Sequence, residues 1–380
     1  MCRVPLLPLF ARSLGADAPM VGFVVGASTL TGIALKLPAG AWSDVLGRRP
    51  LLVAGGLVFA LLPFTYLGVT SLVALIALRF VHGAATATFG PVAAASLSDI
   101  APATRRGTWL SGYSTIQGVG QTLGPILAGY LLVSGRYDLA FVASGVIALP
   151  VPLIVFGWPT SHVSHESRVE THPLRQFTQG VSEIMRSRLI LLTSGAQAAQ
   201  FVLNGSLNAF LPLFGRDVLG LQITHLGWLF GIQTVTTLAA RPVMGMLSDR
   251  LGRRMVIVTG LTVCGVGVLA ISMATSLTSL LPAVVFYALG VAVTTSATSA
   301  FITDLARRAQ YGAAHGVFGT IYDIGDALGP IAAGLLVAGV GYAHTFRIMA
   351  AVALTAAVAF SLLSRGAQPH NVRTVQEVRS

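Results

Sequence analysis

Charge is what this chain has least of. Only 10% of its 380 residues are Asp, Glu, Lys or Arg, against about 25% in an ordinary soluble domain. A water-soluble globular fold of this length is thereby excluded. Two cysteines, Cys2 and Cys264, are too few and too far apart for a disulfide framework or a thiolate metal site. No nucleophile stands with a base, no metal ligands cluster, and no phosphate-cradling loop follows a strand, so neither an enzyme nor an ATP-driven machine is expected, and no cofactor. The glycine pattern Gly118-x-Gly120-x-x-x-Gly124 sits inside an apolar run with no strand ahead of it, which rules out a dinucleotide loop.

What the chain does have is apolar length. Hydrophobic residues make up 54% and the mean hydropathy is +0.77. Runs near 20 residues follow one another with short breaks, which predicts an all-α, polytopic membrane protein. The predicted spans are 20–42, 51–70, 72–98, 107–134 and 138–159, then 189–214, 222–247, 255–275, 277–304, 311–338 and 344–364. Residues 1–159 form a first bundle and 189–364 a second. Between them 160–188 reads as a polar cytoplasmic linker, and 365–380 as a tail. His162, His165 and His172 fall in that linker and read as solvated side chains rather than metal ligands.

The net charge of +11 does not point to nucleic acid. Its arginines gather in alternate loops: Arg48/Arg49, Arg105/Arg106, the 168–188 stretch, 250–254, Arg307/Arg308 and the tail. That alternation is the positive-inside pattern. It predicts the inner membrane, with the rich loops and both ends of the intact protein in the cytoplasm.

One cassette occurs twice. Gly40-x-x-x-Asp44-x-x-Gly47-Arg48-Arg49 returns as Gly245-x-x-x-Asp249-x-x-Gly252-Arg253-Arg254, 205 positions later (245 − 40). The register holds elsewhere: Gly22 with Gly227, Asp99 with Asp304, Gly124-Pro125 with Gly329-Pro330, Tyr137 with Tyr342. A duplicated unit of six spans is the pattern of transporters built from parallel repeats. The same offset maps Met1 onto Ser206, well inside the seventh span. Residues 1–10 cover only about 15 Å as a helix, so the first helix is expected to lack its first half.

Three motifs carry a resemblance. The repeated cassette is similar to the loop 2–3 signature of the major facilitator superfamily. Arg79-x-x-His82-Gly83 in the fourth span resembles that family's Arg-x-x-Gln-Gly, with His82 in the Gln place. Gly120-x-x-x-Gly124-Pro125-x-x-Ala128-Gly129 in the fifth span resembles its antiporter signature, with Ala128 replacing a glycine. Pro5-x-x-Pro8 resembles a feature of the first helix in the twelve-span drug:proton antiporter branch. The resemblance covers essentially the whole chain. It implies two pseudo-symmetric six-helix bundles, with Gly40, Asp44, Gly47, Arg48, Arg49, Gly245, Asp249, Gly252, Arg253 and Arg254 as a cytoplasmic latch. It implies a role in proton coupling for Arg79.

Read physically, Gly40 and Gly245 permit close backbones, while Gly47 and Gly252 permit left-handed turns. Asp44 and Asp249 can accept from the arginine forks. Gly120, Gly124, Pro125, Gly329 and Pro330 make a helix-packing face with a bend. A guanidinium inside a span costs roughly 2.5–3.5 kcal/mol, so Arg79 either serves coupling or snorkels to the surface; His82 titrates or donates a structural bond. In the seventh span Gln197, Gln200, Asn204 and Asn208 share a stripe about 80° wide. It forms a substrate-cavity wall or bonds neighbouring helices, and Gln233 is a further cavity candidate, with Arg3, Gln117, Gln121 and Tyr287 weaker ones. Asp323 and Asp326, one turn apart in the eleventh span, are candidates to bind and release a proton. The expected function is proton-coupled efflux of small, fairly apolar compounds by a monomer. A metabolite or sugar exporter, and a transport-inactive sensor or scaffold, are the alternatives.

Overall fold

The computed structural model describes residues 4–102, 105–133, 135–157, 181–306 and 311–365; the side chains of 37–45, Asp44 included, lie outside what is described. Among the described residues there is no strand. The helices are α1 Leu6–Ser13, α2 Ala18–Leu46, α3 Arg48–Thr65, α4 Leu72–Ile100, α5 Arg106–Leu131 and α6 Tyr137–Ala148, continued by Pro150–Phe156. The second half comprises α7 Arg188–Asp217, α8 Ile223–Leu251, α9 Arg253–Ser272 and α10 Leu277–Leu305. The final helical stretch, Tyr311–Ser364, is broken by Gly341 at φ 76°, ψ 174° into α11 (311–340) and α12 (342–364).

Local chemistry sets these limits. The Asp17 carboxylate accepts from the Met20 N–H to start α2, and Ser71 accepts from the Ala74 N–H to start α4. Ser276, at the position equivalent to Ser71, caps α10 in a reciprocal box with Ser279. Gly47 and Gly252 divide α2 from α3 and α8 from α9, at φ 85° and 89°. Seven of the described helices are long and apolar enough to cross a membrane, the last being the stretch that Gly341 divides. The amide-bearing helices α5, α7 and α8 are outside that set.

The duplication is visible in three dimensions, contact for contact. A Cβ added to Gly22 of α2 would stand 2.1 Å from the Pro330 oxygen of α11; at Gly227 of α8 it would stand 2.6 Å from the Pro125 oxygen of α5. Gly334 faces the Ala18 oxygen at 2.6 Å, and its counterpart Gly129 faces the Ile223 oxygen at 3.1 Å. The two halves therefore meet along two equivalent seams, α2 with α11 and α5 with α8. Trp228 Nε1 donates to Tyr130 Oη across the second seam, at 3.1 Å.

The seams close at one end only. Gly32, Gly112, Gly245 and Gly316, on the same four helices toward the arginine-rich loops, have nothing within 4 Å of an added Cβ. In this conformation Gly245 makes no close backbone approach, and the halves are apart at its end. The molecule is a two-lobed helical bundle, shut where α1 meets α2 and open at the Gly47 and Gly252 loops.

Candidate functional site: a cavity and ion pairs between the halves

A cavity of about 400 Å³ lies where the seams end, at mid-height between the lobes. Leu7 and Pro8 of α1, Val25 of α2, Gln121 and Pro125 of α5, Phe201, Asn204 and Asn208 of α7, Phe230, Gln233 and Thr234 of α8, and Asp326 of α11 all line it. Apolar walls with a few convergent amides are the usual make-up of a small-molecule site. Among the described residues none donates to the buried Oε1 of Gln233, a deficit worth about 1–3 kcal/mol that a ligand N–H or O–H could relieve. A larger, more open groove of about 490 Å³ runs on the outer face between α7 and α12; alanines and leucines line it, and Arg186 and Arg188. It holds none of the amides or acids.

The polar stripe of α7 divides between two tasks. Asn204 and Asn208 face the cavity, but Gln197 and Gln200 do not line it. Both glutamines are 1% exposed inside the second lobe. Gln197 Nε2 donates to Gln200 Oε1 at 3.0 Å, and Thr298 Oγ1 of α10 donates to Gln197 Oε1 at 2.5 Å. The cavity assignment of Gln197 and Gln200 is thereby corrected to interhelical bonding, because α10 covers that end of the stripe. Tyr287 is likewise buried, against Gly267 of α9. Gln121 does reach the cavity; Arg3 lies outside the described residues.

Asp323 forms an ion pair with Lys36 of α2, across the first seam. The Lys36 ammonium also lies 5.8 Å from the ring centroid of Tyr322. One turn on, Asp326 accepts from Thr29 Oγ1 at 3.3 Å and faces the cavity. The two carboxylates thus stand in different surroundings, one ion-paired between the lobes, one open to the cavity. The partner of Asp323 is Lys36, a residue absent from the sequence-based candidates. Its signal was available: the chain's single lysine lies deep in an apolar run, where a charge marks function by default.

Arg79 is 1% exposed and does not reach the surface. Its Nε donates to the Val24 oxygen at 3.2 Å, and its Nη2 to Ser28 Oγ, both on α2. Gly83, one turn away, sits so close to α2 that an added Cβ would be 2.3 Å from the Ser28 oxygen. The motif therefore sets the crossing of α4 on α2. His82 packs edge-on to Phe59 at 5.6 Å between centroids.

At the open end, ion pairs tie neighbouring helices of the same lobe. Arg48 pairs with Asp99, and Arg253 repeats this with Asp304 at 2.8 Å while also holding Asp249 at 2.5 Å. Arg49 donates to the Phe156 oxygen and lies over its ring, and Arg254 is half-buried. In the packing motif, an added Cβ at Gly329 would stand 2.3 Å from the Val202 oxygen of α7, while Pro125 and Pro330 present their carbonyls to the seam glycines. Gly120 is half-buried and Gly124 buried. No group of three or more metal-ligating side chains exists among the described residues.

Two lobes related by an internal repeat, with a mid-height cavity between them that opens at one end, have the architecture of transporters built from repeats. The family follows from sequence as well. The model of the Major Facilitator Superfamily matches residues 2–226 and 218–379, and the chain belongs to that family. It is not an enzyme but a multi-pass, membrane-embedded transporter of small molecules. It is similar to the tetracycline resistance protein, class E, of Escherichia coli, with 23% identity over 86% of this chain and 82% of that one. It is similar too to a multi-drug resistance efflux pump of Streptococcus pneumoniae, with 23% identity over 99% of this chain and 93% of the other. Among solved structures, a bacterial homolog of the human lysosomal transporter Spinster, inward-facing and unoccupied, superposes with a TM-score of 0.84 at 17% identity, covering 96% of this chain and 93% of its own.

Proposed function

We propose that the protein exports small, fairly apolar compounds in exchange for protons, by alternating access. The observation that carries this reading is the Lys36–Asp323 pair, an intramembrane acid and base held on opposite lobes. Burial favours the protonated carboxyl, whereas a neighbouring ammonium favours the carboxylate. Protonating Asp323 therefore removes an attraction that spans the first seam, and moving the lobes apart in turn alters the proton's affinity. Such reciprocity is what couples a proton to a conformational change. Asp326 lies close enough to the same seam to bring the ligand into the cycle, because it lines the cavity directly.

The apolar walls and amides suit small organic compounds with a largely apolar body, and relatives named for drug resistance support export of such compounds. With the arginine-rich loops in the cytoplasm, as the positive-inside pattern requires, the conformation is inward-open. It then stands ready to load from inside the cell, as a monomer in the plasma membrane with the tail in the cytoplasm. The test is efflux across a compound panel with and without a protonophore, followed by Asp323→Asn and Asp326→Asn. At least one variant should bind compound yet lose dependence on the pH gradient. Unchanged coupling in both would end the proton assignment.

A further inference from the structure

The 205-residue register maps Lys36 onto Arg241 (36 + 205) and Asp323 onto Gly118 (323 − 205). The first seam thus holds a cation and its acid. The second seam holds the equivalent cation, but glycine stands where the acid would be. Neighbouring positions keep the correspondence: Thr29 and Asp326 map onto Thr234 and Gln121, both of which line the cavity. Gly118 meets Leu238 of α8, one turn from Arg241, as the register requires.

Helical spacing sets Arg241 on the cavity-lining face of α8. It follows Thr234 by seven residues and Phe230 by eleven, a spacing that keeps all three on one helical face, and both of those line the cavity. Its backbone position lies about 10 Å from that of Thr234 along the axis, on the open side. The Arg241 side chain is exposed, and among the described residues it has no hydrogen-bond or ion-pair partner; only its backbone oxygen is engaged, by Ser296. Closing the cleft would not supply one from α5, which carries no acid between Arg106 and Leu131. Asp323 is taken by Lys36. A guanidinium that the closing cleft encloses needs an anion, and a planar fork selects carboxylate or phosphate oxygens.

We propose that Arg241 docks an anionic group, a carboxylate or phosphate, carried by the transported molecule. The ligand's anion takes the place that Asp323 fills at the equivalent seam, while its apolar body occupies the cavity beside Phe201 and Phe230. The substrate class is therefore an amphiphilic organic acid. This rests on the cavity being the transport site, but its test needs neither a gradient nor transport.

The full chain in detergent is titrated with dansylglycine and with the uncharged methyl ester of the same dye, binding being read by dansyl fluorescence. The acid should bind at least about tenfold more tightly than the ester, the scale of one charge-assisted hydrogen bond. Arg241→Gln should equalise the two, and Arg241→Lys should keep the preference. Gly118→Asp, which supplies the missing internal carboxylate, should also equalise them, while the near-isosteric Gly118→Asn should not. Leu238 reaches Gly118 with the end of a flexible side chain, so both substitutions are accommodated. Wild-type protein that binds neither probe, or both alike, overturns the proposal. So does a preference that survives Arg241→Gln or Gly118→Asp. Displacement of dansylglycine by inorganic phosphate alone, or by phosphatidylglycerol, assigns the arginine to a free ion or a lipid headgroup and overturns it too. Proton-independent export combined with an intact acid preference would instead refute only the antiport reading.

Discussion

Gly22→Ala should shift the protein's conformational equilibrium without unfolding it. An alanine Cβ at this position lies 2.1 Å from the Pro330 oxygen and 2.9 Å from the Pro330 carbonyl carbon. A relaxed carbon–oxygen contact needs about 3.3 Å, so α2 and α11 must part by about 1 Å. Neither obstacle is a flexible side chain; both are backbone within α11. Overpacking of this kind costs about 1–3 kcal/mol, equivalent to a 5- to 150-fold shift in a two-state ratio. The strain exists only while this end of the seam is shut, so the population moves toward the conformer open at that end. At the mirror position Gly227→Ala meets the Pro125 oxygen at 2.6 Å and needs a smaller retreat. The expected order of effect is therefore Gly22→Ala above Gly227→Ala. Spin labels on cysteines placed at Leu67 and Val218, 47% and 56% exposed at the shut end of opposite lobes, would report the distance by double electron–electron resonance. Cys264 is wholly buried and escapes labelling, and Cys2→Ser removes the other native thiol. An unchanged distance distribution in Gly22→Ala, or a larger shift in Gly227→Ala, would refute the seam geometry.

Other substitutions separate stability from transport. Asp323→Asn should strand the Lys36 ammonium at the seam; with Lys36 35% and Asp323 16% exposed, the loss should fall between the about 0–1 kcal/mol of a surface pair and the 3–5 of a buried one. The swap Lys36→Asp with Asp323→Lys should recover most of the lost melting temperature, and failure to do so would count against a direct pair. Gln197→Ala should lower thermal stability by about 1–3 kcal/mol, since Gln200 Oε1 loses its donor inside the lobe and the link to Thr298 is broken, with compound affinity unchanged. Asn208→Ala should do the reverse, and a titration of bound compound beside a melting curve distinguishes the two. Gly47→Ala and Gly252→Ala should each cost about 1–3 kcal/mol, because positive φ with ψ of 158° and 136° is a region that essentially only glycine adopts. Here too melting is the readout, and equal melting to the parent would show that the turns relax.

How far the sequence discloses this molecule is best judged from its repeat. Periodicity and loop arginines suffice for the helices and their order, since apolar length and turn glycines are local properties. The 205-residue register goes further, because two copies of one unit must pack about a common axis; Gly22 with Pro330 and Gly227 with Pro125 are that axis expressed as contacts. What remained illegible was direction around each helix. Gln197 and Asn204 share a face of α7 by angle, yet α10 covers one and the cavity opens beside the other, and only a neighbour's position decides which. For the same reason the partner of Asp323 could not be found along the chain: Lys36 is 287 residues away. A lone lysine in an apolar run was nonetheless the strongest local irregularity in the first half, and the register converts it into a question about the second. A cation stands at both seams and an acid at only one of them, so the two copies differ in charge at equivalent positions. The two proposals assign coupling to the seam that holds the acid, and recognition to the seam that lacks it.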